Sequence, residues 1–417
     1  MKLPPYTPKI ILVLLGVAFL SVANAASVDI RAEDTTGLRG IEDKIDSIVE
    51  TYREANNLPG ISVAIIRDGQ SIYRKGFGWA DIEGKKPARA ETVYSIGSVS
   101  KSIGATLALK LEDEGRLRNG TAFTLNLDQP TSSYLTDIRN ASGRGTVSLP
   151  AFHNHTVRQL LSHIGCVAGS SGSTVPDIVN QTTHYASAID AVQSIWNTGL
   201  VTKMSDAGLP EGESNNGPCI QGKTWSYSTP GFVFIAAVLE SATGRTFNQL
   251  LRDELSVPYG LSSMRVQYAL PTLPPNDDRA SPYDKNNNKI SYRDNSWKVP
   301  GSGIEIHAVD LARFGWEVLD GEILNPDVRD NRLWRRANVI NPNPGYALGW
   351  GVTTDANWRP IAEHPGMETG GRALLRVYRD DALVIAILAN RREHPVDDVH
   401  VFANRIGDAI LGEDISH

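Results

Sequence analysis

A serine and a lysine three residues apart are the first side chains of this sequence whose types and spacing suggest chemistry. In Ser98-Val99-Ser100-Lys101, a helical conformation would place Lys101 one turn beyond Ser98 and on the same face. A serine hydroxyl becomes a nucleophile when a neighbouring base accepts its proton. Lysine can be that base if burial and nearby positive charge lower its pKa from about 10.4. The pair is therefore a candidate for covalent, nucleophilic catalysis.

The elements around Ser98 have to support this interpretation, because one Ser-x-x-Lys match is expected by chance in such a chain. The alternative is a serine N-cap followed by a solvated lysine. Residues 94–97 predict a strand or loop, and a helix is predicted to begin near Ser98 and to continue through Leu107 to Leu111. A serine at a helix start lies among free N–H groups and at the positive end of the helix dipole. That position favours a developing anion.

Two strand pairs and two amphipathic helices lie at opposite ends of the chain. A helical pattern over 41–52 precedes two apolar runs that are joined by the turn Asp68-Gly69. Two more apolar runs lie between residues 373 and 388, and a helical pattern follows over 399–410. We predict an α/β (α+β) fold in which N- and C-terminal segments form one antiparallel sheet flanked by helices. The segment from Ser98 to about residue 299 is predicted to be an inserted, mostly helical subdomain.

Two further motifs relate the sequence to a known family. Tyr227-Ser228-Thr229 precedes a helical run, and His364-Pro365-Gly366 follows later in the chain. Together with residues 96–101, they resemble the ordered motifs of the class C β-lactamase-related serine hydrolases, a β-lactamase/transpeptidase-like fold. That family includes β-lactamases, D-alanyl-D-alanine carboxypeptidases, D-aminopeptidases and esterases. The resemblance runs from about Ile41 to the C-terminus, and flanking segments agree in the same order: 125–130, 160–163, 310–314, 346–350 and 387–390.

The resemblance implies a role for each motif. Ser98 would be the nucleophile, and Lys101 and Tyr227 would share the duty of general base. The amides of Ser98 and of Met367, which follows Gly366, would form the oxyanion hole. The stretch 367–371 is one residue longer than the usual pattern, so the second amide stays open by one position. The site would need no metal and no cofactor.

Two departures from the family pattern bear on the substrate. Thr229 stands where β-lactamases and carboxypeptidases carry an asparagine, and it offers one hydroxyl instead of an amide. His364 stands where they carry a lysine. Relatives with either ester or peptide substrates have histidine there, so His364 weakens the β-lactamase interpretation without selecting a replacement.

Other motifs are weaker candidates. His153-Asn154-His155 lacks the further ligands of a metal hydrolase, and two loop histidines are more often solvated. The loop that begins at Asp284 imitates a calcium loop but lacks its glycine and its bidentate glutamate. No Gly-x-Ser-x-Gly motif is present. We expect His163 to be a structural residue beneath the site rather than a catalytic base.

Composition and the N-terminal segment limit where the protein works. With 41% hydrophobic and 21% charged residues the chain can build a large core, and a net charge of -6 provides no basic surface for nucleic acid. Lys2 and Lys9 precede an apolar run that ends in Ala23-Asn24-Ala25, which is typical of a cleaved signal peptide over 1–25. The alternative is an uncleaved membrane anchor. We predict a secreted or periplasmic protein without a membrane span in the mature chain.

The predicted organisation is one hydrolase domain over 26–417. Its α/β part would comprise about 36–97 and 300–417, and its helical part about 98–299. The chain has two cysteines, Cys166 and Cys219, and an oxidising compartment favours a disulfide between them. Two buried thiols are the alternative, because a chain of this size can fold without a cross-link.

The sequence thus predicts a serine hydrolase that acts through an acyl-enzyme on an ester, amide or β-lactam bond of a small molecule or peptide. Small esters are expected to be favoured over β-lactams because of Thr229. The alternatives are carboxypeptidase or β-lactamase activity, or a non-catalytic protein that binds cell-wall peptides or penicillin. Nucleic acid is not an expected partner.

Overall fold

The computed structural model describes residues 35–139, 146–167, 183–196, 219–268, 278–339, 345–392 and 398–412. The predicted signal peptide over 1–25 lies outside the described residues. Within the described ranges, no helix combines the length and the apolar character that crossing a membrane requires.

The structure has nine α-helices and twelve strands within its described residues. The helices are α1 Thr35–Ala55, α2 Ser100–Glu114, α3 Val157–Leu161, α4 Ala188–Gln193, α5 Thr229–Thr243, α6 Phe247–Leu250, α7 Ala308–Asp320, α8 Pro326–Val328 and α9 Val399–Leu411. The strands are β1 Gly60–Arg67, β2 Gln70–Asp81, β3 Lys86–Pro87, β4 Val93–Ser95, β5 Ile138–Arg139, β6 Thr146–Val147, β7 Arg265–Val266, β8 Ile304–His307, β9 Gly351–Thr354, β10 Pro360–Glu368, β11 Gly371–Tyr378 and β12 Leu383–Ala389.

A seven-stranded antiparallel sheet joins the two ends of the chain. Its strand order is β3-β2-β1-β12-β11-β10-β9, so the N-terminal hairpin pairs with the C-terminal strands through β1 and β12. The predicted turn at Asp68-Gly69 connects β1 to β2, and Gly69 has a φ of 76°, which glycine adopts without strain. Both predicted strand pairs and the predicted sheet are confirmed.

The helices that the sequence predicts at the two ends cover one face of this sheet. Apolar residues of α1 and α9 form a common cluster with β1, β11 and β12. The ring of Tyr52 in α1 stacks on the ring of Phe402 in α9 with centroids 3.9 Å apart. On the opposite face, α7 and the helices of the inserted segment form the larger core. The sheet is therefore buried on both faces, as in an α/β fold.

The inserted segment contains two histidines that the sequence analysis placed in a solvated loop, and that expectation is wrong. His153 and His155 are fully buried. Their facing nitrogens lie 3.1 Å apart, and the outer nitrogens contact the carbonyl oxygen of Trp196 and the hydroxyl of Thr131. The polar atoms are satisfied within the protein, so the spacing that resembles a metal motif belongs to a buried hydrogen-bond chain.

Candidate active site

Ser98 lies in a single 3-10 turn, Gly97–Val99, between β4 and α2. The sequence predicts a helix start near Ser98, and in the structure the α-helix begins two residues later, at Ser100. Gly97 has a φ of 52°, and a Cβ on it would lie 2.6 Å from the backbone nitrogen of Met367. Only glycine fits this contact, which brings the turn that carries Ser98 directly against β10.

Lys101 lies in the first turn of α2, and its side chain is fully buried. Its Nζ lies 3.0 Å from Ser98 Oγ, 3.1 Å from Thr229 Oγ1 and 2.5 Å from the carbonyl oxygen of Gly301. Burial lowers the pKa of Lys101 well below its ordinary value, and the charge of Lys298 lowers it further, against a smaller opposing effect of Glu368. An amine in this environment can be neutral, and therefore basic, near neutral pH.

Tyr227 approaches Ser98 from the other side. Its hydroxyl donates to Ser98 Oγ at 2.8 Å, and its ring centroid lies 4.7 Å from Lys101 Nζ. Burial raises the pKa of Tyr227, so the phenol keeps its proton at neutral pH. The next residue, Ser228, is the N-cap of α5 and accepts the Gly231 N–H at 3.0 Å, which fixes the backbone at Tyr227.

His163 lies beneath Tyr227 and makes its contacts there rather than with Ser98. Its Nδ1 accepts the backbone N–H of Ser228 at 3.1 Å, and its ring centroid lies 4.3 Å from that of Tyr227. Burial lowers the pKa of His163 well below the usual range, and the charge of Lys101 adds to this effect. These contacts suit a neutral residue that supports the tyrosine.

His364 lies on β10 and uses both ring nitrogens within the protein. Its Nδ1 lies 2.6 Å from the Pro365 carbonyl oxygen, which can only accept, and its Nε2 lies 2.9 Å from the Tyr346 hydroxyl. Burial, followed by the charge of Lys101, lowers the pKa of His364 to about 3. A neutral imidazole that donates from Nδ1 accepts from Tyr346 at Nε2, so it presents no cation to a ligand.

One edge of β10 faces the turn Gly97–Val99, which carries Ser98. The partner strand on that edge, β9, pairs only as far as Glu363, which leaves His364–Glu368 without a strand there in the described structure. Glu368 and Gly371 close a two-residue hairpin, so the neighbouring Met367 is at a non-hydrogen-bonded position and its N–H points to this open edge. A Cβ on Gly366 would collide with the carbonyl oxygen of Ile96. The close approach leaves the Met367 N–H beside the turn that carries Ser98.

Three features of the site were missed by sequence reasoning. The Gly301 carbonyl contacts Lys101, Tyr346 contacts His364, and a buried Lys298–Glu368 ion pair lies next to Gly301. Tyr346 belongs to a segment that the resemblance had singled out, which was the available signal. A backbone carbonyl has no signature in sequence.

Cys166 and Cys219 are joined in a disulfide that spans 53 positions of sequence, with an S–S distance of 2.01 Å. Cys166 follows α3 and His163, and Cys219 begins the segment that leads to Tyr227. The cross-link therefore connects the two chain segments that hold His163 and Tyr227 together.

The chain is similar to several known proteins. Penicillin-binding protein 4* of Bacillus subtilis (strain 168) is 21% identical over 370 residues, which cover 84% of this chain and 72% of that protein. A D-stereospecific amidohydrolase from Streptomyces sp. superposes with a TM-score of 0.63 at 20% identity, over 88% of this chain and 98% of that one. EstCE1, a hydrolase with promiscuous acyltransferase activity, superposes with a TM-score of 0.61 at 18% identity, over 90% and 100% of the two chains.

These two structural similarities show a shared fold. The family model described as Beta-lactamase matches residues 45–406, from within α1 to within α9. A match over that length shows that this chain belongs to the beta-lactamase family of the serine hydrolase superfamily.

Proposed function

We propose that the protein is a serine hydrolase that forms an acyl-enzyme on Ser98. The observation that carries the proposal is the approach of two proton-handling groups to one hydroxyl: Lys101 Nζ at 3.0 Å and the Tyr227 hydroxyl at 2.8 Å from Ser98 Oγ. The two groups come from different elements, α2 and the segment before α5. Tyr227 lies 129 positions from Ser98, so local sequence does not force its approach.

The proposed base is Lys101 in its neutral form. Gly301 can only accept, so one N–H of the amine is committed to its carbonyl, and the amine lone pair can take the Ser98 proton. Ser98 Oγ then attacks the substrate carbonyl, and the proton remains on Lys101. The Ser98 and Met367 N–H groups would hold the oxyanion of the tetrahedral intermediate.

Tyr227 is the proposed proton donor for the leaving group. Its phenol is protonated at neutral pH, and it can pass its proton to the departing oxygen or nitrogen while it recovers one from the Lys101 ammonium. Water then attacks the acyl carbonyl from the place of the leaving group and gives one proton to the same pair. The bond between Ser98 Oγ and the acyl group breaks, the pair returns the proton to Ser98 Oγ, and the acid is released. Atoms and charges balance over the two half-reactions without a metal or cofactor.

We further propose small neutral esters as preferred substrates over β-lactams. The Thr229 hydroxyl contacts Lys101 at 3.1 Å, and the ring nitrogens of His364 contact Tyr346 and Pro365. Penicillins and D-alanyl-D-alanine peptides carry a carboxylate near the scissile bond. The pKa of Lys101 is lowered well below its ordinary value and Lys298 is paired with Glu368, so these two lysines offer that carboxylate little net positive charge.

An amide or D-peptide substrate is the second candidate. It is supported by the D-stereospecific amidohydrolase, whose fold this chain shares, and by the relative named as a penicillin-binding protein. A non-catalytic protein that binds cell-wall peptides is the third. The low pKa of Lys101 and its contact with Ser98 favour an enzyme, because a binder needs no activated nucleophile.

Export and domain organisation also remain proposals. The predicted signal peptide and the disulfide both suit an oxidising compartment outside the cytoplasm, either periplasmic or extracellular. We propose one hydrolase domain over 26–417, with the α/β part over about 36–97 and 300–417 and the helical part between them.

Labelling with a fluorophosphonate probe, together with a hydrolysis panel, tests the proposal. The wild-type protein should be labelled and should hydrolyse a short-chain p-nitrophenyl ester with a higher kcat/KM than nitrocefin or a D-alanyl-D-alanine peptide. Ser98→Ala should lose both labelling and turnover while its melting temperature and circular dichroism are unchanged. More than a few per cent of residual turnover in that variant would exclude Ser98 as the nucleophile.

A further inference from the structure

A buried ion pair lies near Lys101 and has no role in the chemistry described above. Lys298 Nζ and Glu368 Oε2 are 2.5 Å apart, and the side chains are 13% and 9% exposed. The same carboxylate accepts the hydroxyl of Ser302 at 2.9 Å and the backbone N–H of Thr369 at 2.9 Å. The charges are therefore paired and hydrogen-bonded, as burial requires.

The pair connects the end of β10 to the loop that holds Lys101. Lys298 and Ser302 lie at the two ends of a five-residue segment, and both contact the single carboxylate of Glu368. Gly301, within that segment, presents its carbonyl to Lys101 Nζ at 2.5 Å. A Cβ on Gly301 would lie 2.5 Å from the Thr229 carbonyl oxygen, so the loop is seated tightly against the start of α5.

The pair also brings two opposite charges close to one amine. The positive charge of Lys298 disfavours the ammonium form of Lys101, and the negative charge of Glu368 favours it. The other titratable groups that face Lys101 are Tyr227 from the segment before α5, His163 from below, and His364 from β10. At neutral pH these three groups are uncharged, because burial raises the pKa of the tyrosine and lowers the pKa of both histidines.

We propose that Lys298 and Glu368 are positioning residues that hold the Gly301 carbonyl against Lys101 and act on its amine through two opposing charges. The inference rests on the proposed function of Lys101 as the base. The alternative is an ion pair that only closes the β10–β11 turn and stabilises the protein without acting on Lys101. A positioning role and a purely structural role differ in how they change the pH dependence of the reaction rate at Ser98.

Two isosteric or near-isosteric variants separate these cases. Glu368→Gln leaves an unpaired positive charge beside Lys101, so the acid limb of the rate should move to lower pH by about one unit. Lys298→Met leaves an unpaired negative charge, so the limb should move to higher pH by about one unit. Both variants should also lower the plateau rate, because each loosens the loop that carries Gly301.

The readout is the rate at which a fluorophosphonate probe labels Ser98, measured from pH 4.5 to 9. This rate depends on the nucleophile and its base and not on which substrate the enzyme prefers. Lys298→Arg retains the charge and should restore the wild-type limb. Lys289→Met is the control, because it breaks a partly exposed ion pair with Asp81 that includes none of the residues around Lys101. It should leave the pH profile of labelling unchanged.

Opposite shifts in the two variants, with rescue by Lys298→Arg, would support the inference. Shifts of the same sign, or lower rates with an unmoved limb, would overturn it while the proposed function stands. Circular dichroism and melting temperature identify a variant that fails to fold. In that case the sign of the shift in the acid limb of the remaining variant tests the inference. A wild-type protein that is not labelled at all would overturn the proposed function and this inference with it.

Discussion

The side chains around Ser98 differ in what each can do with a proton at neutral pH. Burial lowers the pKa of Lys101 and raises the pKa of Tyr227, and both side chains contact the same oxygen, Ser98 Oγ. The sequence alone left open which of the two is the principal base. The opposite directions of their pKa shifts now favour Lys101, because a base must lose its proton before it can accept another.

We predict that Lys101→Ala lowers kcat/KM by about two to four orders of magnitude with every ester, the usual scale for loss of a positioned base. Tyr227→Phe should cost less with a p-nitrophenyl ester than with an alkyl ester, because only the alkoxide leaving group needs a proton from the phenol. Steady-state kinetics on a matched series of acetate esters measures both. Equal losses across that series in Tyr227→Phe would argue against its role as the acid.

A second prediction concerns Thr229, whose hydroxyl contacts Lys101. Thr229→Asn supplies an amide that can also bond to a substrate carbonyl, and one added neutral hydrogen bond is worth about 1 kcal/mol. Acylation by nitrocefin should therefore rise about fivefold relative to acylation by the p-nitrophenyl ester. Thr229→Val is the control, since it removes the hydroxyl and adds no amide. An unchanged ratio in Thr229→Asn would contradict the argument.

At the scale of elements, α2 departs from the pattern of a surface helix. Its residues from Ser100 to Leu111 are all buried, including Lys101 and Lys110. Lys110 retains its charge partners in Glu114 and Glu254, whereas the acceptors at hydrogen-bond distance from Lys101 among the described residues are uncharged. The same helix therefore contains one structural lysine and one candidate base, and the acceptors around each distinguish them.

The disulfide acts on the element that carries Tyr227. Cys166→Ser/Cys219→Ser should lower the free energy of unfolding by about 4 kcal/mol in the chain-entropy model for a loop of this length, and by less where the unfolded chain keeps structure. Activity should decline below the melting transition, because the segment before α5 loses its link to the segment after α3. Urea unfolding and ester hydrolysis measure the two effects.

Dithiothreitol provides the control for that prediction. It should lower the activity of the wild-type protein and leave the double variant unchanged. Two thiols alkylated without prior reduction in the mature protein would show that the cross-link is absent in solution.

At the scale of the whole molecule, buried neutral histidines make stability depend on pH. Burial and the proximity of His153 lower the pKa of His155 to about 3. In the unfolded chain a histidine titrates near pH 6.5, so below that pH the unfolded state binds a proton that the native state does not. Stability is thus lost as the pH falls from about 6.5 towards 3.

We predict that His155→Gln is less stable than the wild type at pH 7 and that the difference shrinks by about 2 kcal/mol between pH 6.5 and 5. The difference between two proteins cancels the acidic groups that titrate in the same range. Thr131→Val removes the hydrogen-bond partner of His155 and keeps the titrating ring, so its difference from the wild type should stay nearly constant. Urea unfolding at four pH values measures the free energy of unfolding of each protein. The prediction is contradicted if the differences of His155→Gln and Thr131→Val from the wild type change with pH in the same way.

The sequence by itself determined the elements whose signals are local. The period of apolar residues located α1 and α9, and the turn residues located the hairpin of β1 and β2, because periodicity and turn chemistry depend on neighbours in the chain. The order of three motifs identified the family from the sequence, and the same motifs singled out Ser98, Lys101 and Tyr227 as candidate catalytic residues.

Only the tertiary structure decided which groups surround those residues. The Gly301 carbonyl lies 200 positions from Lys101 in sequence, and Glu368 lies 70 positions from Lys298. The burial of His153 and the direction of the Met367 N–H likewise depend on elements that meet only in the folded chain. Burial and long-range contact set charge and basicity, and no local pattern of residues encodes either.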